Sequence, residues 1–160
     1  MISIPYIAGL FDGEGHVSIT WTARKSGRDP KLCVKLTNTH LPVLLEVKEL
    51  YGGCICTNKK VAAHHLQVFV LSLTVEQSKK FLTDMLPHLI IKKRQAEIAL
   101  LFSSTVYRRG KKRVSEEETL LRESCMKEIE IEKRREWDKS FIQHRQAIKG
   151  HVCWSYQIKN

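Results

Sequence analysis

An α+β domain is the fold class that the sequence predicts, with the element order α-β-β-α-β-β-α and further helices after this core. Apolar residues recur at helical spacing in three segments, and two strand-like segments follow each of the first two. Gly52-Gly53 and Pro87 mark helix ends. At 160 residues the chain suits one domain, with a core over about 3–107 and a C-terminal helical extension over about 108–160.

The first helix is predicted over residues 3–12, and its apolar run stops at Asp12-Gly13-Glu14-Gly15. We expect the backbone to turn through these glycines into a strand, with the carboxylates at the junction. Gly9 and Gly13 are four residues apart and therefore share one helix face. Because glycine inside a helix costs roughly 1 kcal/mol relative to alanine, their presence predicts the close approach of another backbone.

A hairpin of two strands is predicted next, over about 16–22 and 31–37, with a basic turn at 24–30. Its inner face is apolar, with Val17, Ile19 and Trp21 on the first strand. Its outer face is basic and rich in hydroxyl groups, which favours contacts to phosphates and base edges. The residues that we expect to contact DNA there are His16, Ser18, Thr20, Thr22, Arg24, Lys31, Cys33 and Lys35.

A second helix over 41–51 is predicted to carry its apolar side on Leu44, Leu45, Val47, Lys48, Leu50 and Tyr51. Strands follow at about 54–58 and 65–73, and the exposed parity of the later strand cannot be assigned because its apolar stretch is continuous. A helix over 75–86 begins with a capping box formed by Thr74 and Gln77.

Two more helices complete the predicted chain, one running to about Tyr107 and a long charged one running to about Trp137. The long helix opens with a capping box over Ser115-Glu116-Glu117-Glu118. Its buried side is predicted to consist of Leu121, Cys125 and Ile129. Residues 138–160 are predicted as a short terminal strand or a packed tail.

The charge balance favours a polyanionic partner. Lys and Arg number 27 against 17 Asp and Glu, giving a net charge of +10 and a pI near 9.5. Nucleic acid is the commonest such partner, although a basic protein without one has the same totals. No run approaches a membrane span, and the N-terminus lacks the pattern of a signal peptide.

Five cysteines at irregular spacing give no disulfide framework. We therefore expect an intracellular, reducing compartment, either the cytoplasm or an organelle. Cys54-x-Cys56 with His64-His65 downstream has some resemblance to a zinc site. It lacks the C-x2-C knuckle and lies in a predicted strand, which argues against zinc.

The nine residues from Ile7 to Gly15 read I-A-G-L-F-D-G-E-G, and this stretch resembles the LAGLIDADG motif of homing endonucleases. Glu14 replaces the second aspartate of the motif and keeps its carboxylate. The element order matches that family, and two later stretches, 36–39 and 87–96, resemble blocks that hold a polar active-site residue and a lysine. The resemblance covers about residues 5–107 and contains one copy of the motif.

The resemblance implies a saddle-shaped antiparallel sheet and a homodimer, because members with one motif pair two chains. Tyr6, Gly9 and Gly13 are then expected at the dimer interface. It also implies site-specific double-strand cleavage of a long, near-palindromic DNA target by metal-dependent phosphodiester hydrolysis. Glu14 and the Gly13 carbonyl are expected to bind Mg²⁺.

The resemblance further implies that Asn38 orders the attacking water and that Lys92 stabilises charge on the phosphate. Each assignment has an alternative. In the alternative, Glu14 is only an exposed acid at a helix end, and Asn38 only caps the turn into the second helix. Lys93 or Arg94 could also be the cation in place of Lys92. Asp12 is expected to be a structural cap. The alternative functions are an RNA maturase, a non-cleaving DNA-binding protein on the same fold, and a basic interaction protein.

Overall fold

The computed structural model describes residues 2–24, 27–58, 66–106 and 115–133. The described elements follow the predicted core order. They are α1 (Ile4–Glu14), β1 (Gly15–Arg24), β2 (Gly27–Asn38), α2 (Leu41–Tyr51), β3 (Cys54–Thr57), β4 (Phe69–Leu73), α3 (Val75–Met85), a 3-10 turn (Leu86–His88), α4 (Lys93–Ser104) and α5 (Glu116–Lys133). The predicted α+β class is confirmed.

The four strands form one antiparallel sheet in the order β1-β2-β4-β3. Val17 lies opposite Val34, and Leu36 lies opposite both Gly15 and Leu71. Directly paired residues share a sheet face, so this register gives the sheet one apolar face. That face packs against the helices and forms the core.

The centre of the core is aromatic. The rings of Phe11 and Phe81 meet edge to face with centroids 5.0 Å apart, and Tyr51 meets Phe81 in the same way. Such pairs add about 0.5–1.5 kcal/mol beyond the burial of their area. The contacts fix α1, α2 and α3 against one another, and thereby fix the direction in which α1 ends.

The first helix and hairpin are longer than predicted. α1 continues through Gly13 to Glu14, and neither Gly13 nor Gly15 has a positive φ, so the expected turn through glycines is wrong. Gly15 is needed for space, because a Cβ there would lie 2.3 Å from the Phe11 ring. Strand pairing continues as far as Arg24 and Gly27, well into the expected basic turn.

The later boundaries also shift. β4 begins at Phe69 rather than near 65, and the predicted helix ends at Tyr107 and Trp137 lie outside the described residues, as does 138–160. Trp21 was predicted to be buried but is 46% exposed, near the outer end of β1.

The buried sides of α2 and α5 differ from the prediction. Val43 is buried in α2, while Leu45 and Leu50 are exposed. In α5 the buried residues are Arg122, Cys125 and Ile129, and Leu121 is exposed. Arg122 is accommodated because its guanidinium donates to the Thr105 hydroxyl at 3.1 Å and to the Thr105 carbonyl at the end of α4.

The predicted helix caps are confirmed. Thr74 and Gln77 form a reciprocal capping box at α3, and Ser115 and Glu118 form one at α5. Gly52 ends α2 with a φ of 77°, and a Cβ there would lie 2.4 Å from the Gln77 amide nitrogen. None of the described helices is long and apolar enough to span a membrane.

Candidate active site and nucleic-acid interface

The end of α1 holds two acids in different surroundings. Asp12 is 8% exposed, whereas Glu14, the last helical residue, is exposed. The Phe11 carbonyl accepts the Gly15 N–H, which closes the helix immediately before β1 begins. The helix therefore ends with one carboxylate directed inward and the next at the surface.

Asp12 fixes the approach of the chain to α4. Its Oδ2 accepts hydrogen bonds from the backbone N–H groups of Ile90 at 2.7 Å and Ile91 at 3.2 Å. Its Oδ1 accepts the N–H of Lys92 at 2.9 Å. Asp12 is thus the structural cap that the sequence predicted, and both of its oxygens are occupied within the chain.

Lys92 comes directly before α4, and its ammonium donates to the backbone carbonyl of Asp12. Burial lowers the pKa of Lys92, and the negative charges of Asp12 and Glu14 oppose that shift. Lys92 and Glu14 therefore act on each other electrostatically. Arg94 is engaged elsewhere, in surface ion pairs with Glu97 and Glu128 at 3.2 Å each, so Lys92 is favoured over Arg94 as the cation of this site.

The exposed ring of His16 follows Glu14 on β1, and its Nε2 lies 3.0 Å from the Ser18 hydroxyl. Burial of part of the ring and the positive charges of Lys133, Lys35 and Lys92 lower the pKa of His16. A neutral imidazole is therefore favoured here. The same interactions show that Lys133, at the end of α5, lies near the start of β1, where the sequence had assigned no role to the C-terminal extension.

Asn38 is the last residue of β2, and its Oδ1 accepts the backbone N–H of His40 at 2.8 Å. This bond builds the turn into α2, which is the alternative that the sequence left open. The amide of Asn38 still has donors of its own. Its catalytic role stays a prediction.

The polar sheet face is the side of the four strands opposite the core. Thr20 and Lys31 are exposed on it, while Cys33 and Lys35 are half-buried. Thr22 and Arg24 belong to β1, but the described side chains do not include theirs. The predicted exposure of Ser18 is wrong: it is 7% exposed, its hydroxyl is paired with His16, and α5 packs against β1.

The polar sheet face extends further than the hairpin. The strand register adds Thr37 from β2, Val70 and Ser72 from β4, and Cys54 and Cys56 from β3. The sequence could not place these residues because the apolar run in β4 hides its alternation. The pairing with β2 is the signal that assigns the face.

The outward side of α1 carries the three residues that were predicted at a dimer interface. Tyr6 is 57% exposed, and a Cβ added at Gly9 or Gly13 would meet nothing within 4 Å. Among the described residues, therefore, no packing contact requires glycine at either position. The cost of two helical glycines is left without an explanation inside one copy of the protein.

The metal-binding capacity of one copy is small. Within the described ranges, no group of three or more His, Cys, Asp or Glu side chains could hold a metal ion. Glu14 offers one exposed carboxylate, and the Gly13 carbonyl belongs to the last helical turn, where carbonyls lack intrahelical partners. One or two carboxylates with water and phosphate oxygens is a donor set that Mg²⁺ accepts in proteins.

Comparison of the fold with solved structures finds homing endonucleases. No protein-family model matches the chain, and no curated protein matches it either. The match to the homing endonuclease I-TnaI has a TM-score of 0.65 and 16% identity, and it covers 83% of this chain and 95% of that one. The match to I-CvuI in complex with its target in the presence of Ca has a TM-score of 0.56 and 18% identity, covering 76% and 78%.

A third match is the LAGLIDADG homing endonuclease I-LtrWI bound to target DNA, with a TM-score of 0.60 and 16% identity. It covers 78% of this chain but 43% of that one. The chain therefore has the fold of the LAGLIDADG homing endonucleases, and the resemblance noted in the sequence is confirmed at the level of fold.

Proposed function

We propose that this protein is a site-specific DNA endonuclease that hydrolyses phosphodiester bonds with a divalent cation and acts as a homodimer. The observation that carries the proposal is the junction at the end of α1. There an exposed carboxylate, Glu14, and a lysine held in place, Lys92, lie beside a polar sheet face on a chain of charge +10. The structural neighbours I-CvuI and I-LtrWI are complexes with target DNA, which supports the same partner.

The proposed homodimer is supported by the single carboxylate that one copy supplies and by the open side of its α1. One chain supplies one exposed carboxylate at the site, and the outward side of α1 has room for another backbone at Gly9 and Gly13. Packing two copies of α1 through these glycines brings the two Glu14 side chains together. I-LtrWI, of which this chain covers 43%, is long enough to hold two such units, whereas this chain holds one motif.

In this mechanism Glu14 and the Gly13 carbonyl would hold Mg²⁺, which would supply positive charge to stabilise the transition state of phosphodiester hydrolysis. Lys92 donates to the phosphate oxygens as negative charge develops on them. Asp12 keeps Lys92 in position, and its own oxygens are occupied, so it takes no part in metal binding. Asn38 orients the attacking water through the donors of its amide.

DNA recognition belongs to the polar sheet face. Exposed Lys31 and half-buried Lys35 supply positive charge for phosphates, and Thr20 supplies a hydroxyl for base edges or phosphates. Two copies related by a two-fold axis read related half-sites, so the target is expected to be near-palindromic.

The test is to incubate the purified protein with a randomised DNA-site library in Mg²⁺ and, separately, in Ca²⁺, and to sequence the cleaved ends. The proposal expects cleavage in Mg²⁺ at a near-palindromic sequence and binding without cleavage in Ca²⁺. Tight DNA binding without cleavage in either ion would favour the non-cleaving binding protein. Binding to structured RNA in place of DNA would favour the maturase.

A further inference from the structure

Two exposed thiols stand close together on β3. The Sγ atoms of Cys54 and Cys56 are 3.9 Å apart, and both side chains are exposed. Residues two apart on a strand point to the same face, so the strand itself brings the two sulfurs side by side. Within the described sheet, β3 is the outer strand on the side away from β1.

The thiol pair lies on the polar sheet face. Cys54 is opposite Ser72, Ser72 is opposite Lys35, and Lys35 is opposite His16. These four residues form one row across all four strands. The thiols therefore belong to the same surface as the residues beside Glu14, at the opposite edge of the sheet.

The distance between the sulfurs is compatible with a shared metal ion. A disulfide requires a separation of about 2.05 Å, so the sulfurs would have to move together by nearly half their present distance. A tetrahedral ion with Zn–S bonds of about 2.3 Å holds two thiolates about 3.8 Å apart. The observed 3.9 Å matches the second arrangement without movement of the strand.

We propose that Cys54 and Cys56 form a two-thiolate site for a thiophilic divalent d10 cation of the Zn²⁺ class. Binding exchanges two thiol protons for one ion, so that two S–H bonds break, two metal–sulfur bonds form and two protons leave to solvent. Two coordination positions of the ion remain for water. Hard Mg²⁺ prefers oxygen ligands, so this site and the Glu14 site select different ions.

A hydrogen bond joins the two thiols. This bond, with the charge of Cys54, raises the pKa of Cys56 and so opposes loss of the proton that the ion has to displace, which leaves the geometry of the pair as the support for the site. In the sequence, a position within a strand argues against a zinc site, because zinc ligands are expected in a knuckle. The structure reverses that argument for a two-ligand site, since the strand is what places both thiols on one side.

The site has a consequence that rests on the proposed function. An ion with its bound waters occupies space on the polar sheet face, where DNA is proposed to lie. The ion and DNA therefore compete for the face, and each lowers the affinity of the other by the same factor.

The first experiment needs no DNA. The full chain is titrated with Cd²⁺, a probe for Zn²⁺ sites, and thiolate-to-cadmium absorbance is recorded for the wild type, C54S/C56S and C33S/C153S. We expect one ion per chain in the wild type, loss of the absorbance in C54S/C56S, and retention in C33S/C153S, which keeps the pair and the buried Cys125. Absorbance that survives in C54S/C56S, or is absent from the wild type, would overturn the site.

The second experiment tests the competition. Affinity for a DNA fragment is measured with and without saturating Cd²⁺, and again after a chelator is added. We expect several-fold weaker DNA binding in the loaded wild type, recovery with the chelator, and no effect of Cd²⁺ on C54S/C56S. Equal affinity in the loaded and free wild type would refute the competition. If no variant binds DNA in any condition, the proposed function fails while the cadmium titration still decides the site.

Discussion

The inward and outward sides of α1 differ in how many packing contacts and hydrogen bonds they make within one copy of the chain. On the inward side Phe11 packs in the aromatic core, and Asp12 accepts three backbone hydrogen bonds from residues 90–92. On the outward side a Cβ added at Gly9 or Gly13 would meet no described residue within 4 Å, and Glu14 is exposed. The inward side explains the fold of one copy. The outward side is where the proposed partner, ion and substrate would bind, so acids two residues apart should respond differently to substitution.

The largest effect is expected for Glu14→Gln. The change removes the carboxylate that is proposed to bind the cation and keeps the size of the side chain. Because a catalytic metal supplies several kcal/mol of transition-state stabilisation, DNA cleavage should fall by roughly a thousandfold or more. Single-turnover cleavage, DNA affinity and Tm are measured together, and the DNA affinity and the Tm should equal those of the wild type.

Glu117→Gln, at an exposed position in the first turn of α5, is the matched control and should cleave normally. Equal loss in both variants would mean that cleavage depends on overall charge. Unchanged cleavage in Glu14→Gln would remove Glu14 from the active site and with it the proposed mechanism.

Asp12→Ala should lower stability, which Glu14→Gln leaves unchanged. Three backbone N–H groups lose their acceptor, and an unsatisfied buried donor costs about 1–3 kcal/mol. We expect a loss of about 3 kcal/mol, allowing for partial access of water, or roughly 6–12 °C in Tm for a chain of this size. Thermal unfolding measures this loss. The Tm of Asp12→Asn, which keeps an acceptor oxygen, should lie between those of the wild type and Asp12→Ala. A Tm equal to that of the wild type would contradict the capping role.

Gly9→Ala tests the outward side of α1, and its effects should be smaller. It should raise the stability of one copy and weaken the homodimer. Alanine has open space in one copy and gains about 1 kcal/mol of helix propensity, so the isolated chain should unfold at a higher temperature. The same methyl group should weaken the homodimer, as measured by sedimentation equilibrium. Ser124→Ala, at an exposed position of α5, is the control and should leave the association constant unchanged. Tighter association of Gly9→Ala would show that α1 does not pair through Gly9.

The smallest effect is expected for the pH dependence of His16→Gln. The folded pKa of His16 lies below its ordinary value of 6.5, because of burial first and then the nearby lysines. Below 6.5 the unfolded chain therefore binds more protons, and stability falls as the pH falls towards the folded pKa. Between about pH 7.5 and about pH 5 the Tm of the wild type should drop more than that of His16→Gln. Parallel curves would contradict this assignment.

Much of the fold was predictable because its signals are local. Helical spacing, the Thr74 and Ser115 capping boxes and the Gly52-Gly53 stop are all short-range patterns, and each is confirmed. The errors come from tertiary contacts. Leu121 gives way to Arg122 in the buried side of α5, because the end of α4 supplies oxygens that only a donor can use.

The predictions for the site also divide into those that rest on local patterns and those that need tertiary contacts. The motif located Asp12 and Glu14 at a helix end, but only the fold brings Lys92, eighty residues after Asp12, against that end. The polar outer face of the hairpin was predictable from the alternation of polar and apolar residues. The burial of Ser18 was not, because it depends on tertiary contacts. Cys54 and Cys56 joined the face only through strand pairing, which no local pattern in β4 revealed.

Gln77 makes two helix ends depend on one side chain. Its amide completes the cap of α3 and also lies where Gly52, at the end of α2, leaves room for it. Substitutions at these two positions should therefore not be additive, since Gly52→Ala already displaces the amide that Gln77→Ala removes. A change at Gly52 therefore disturbs the start of α3 as well as the end of α2. A change at Gln77 removes the steric contact, but the φ of 77° still favours glycine at position 52.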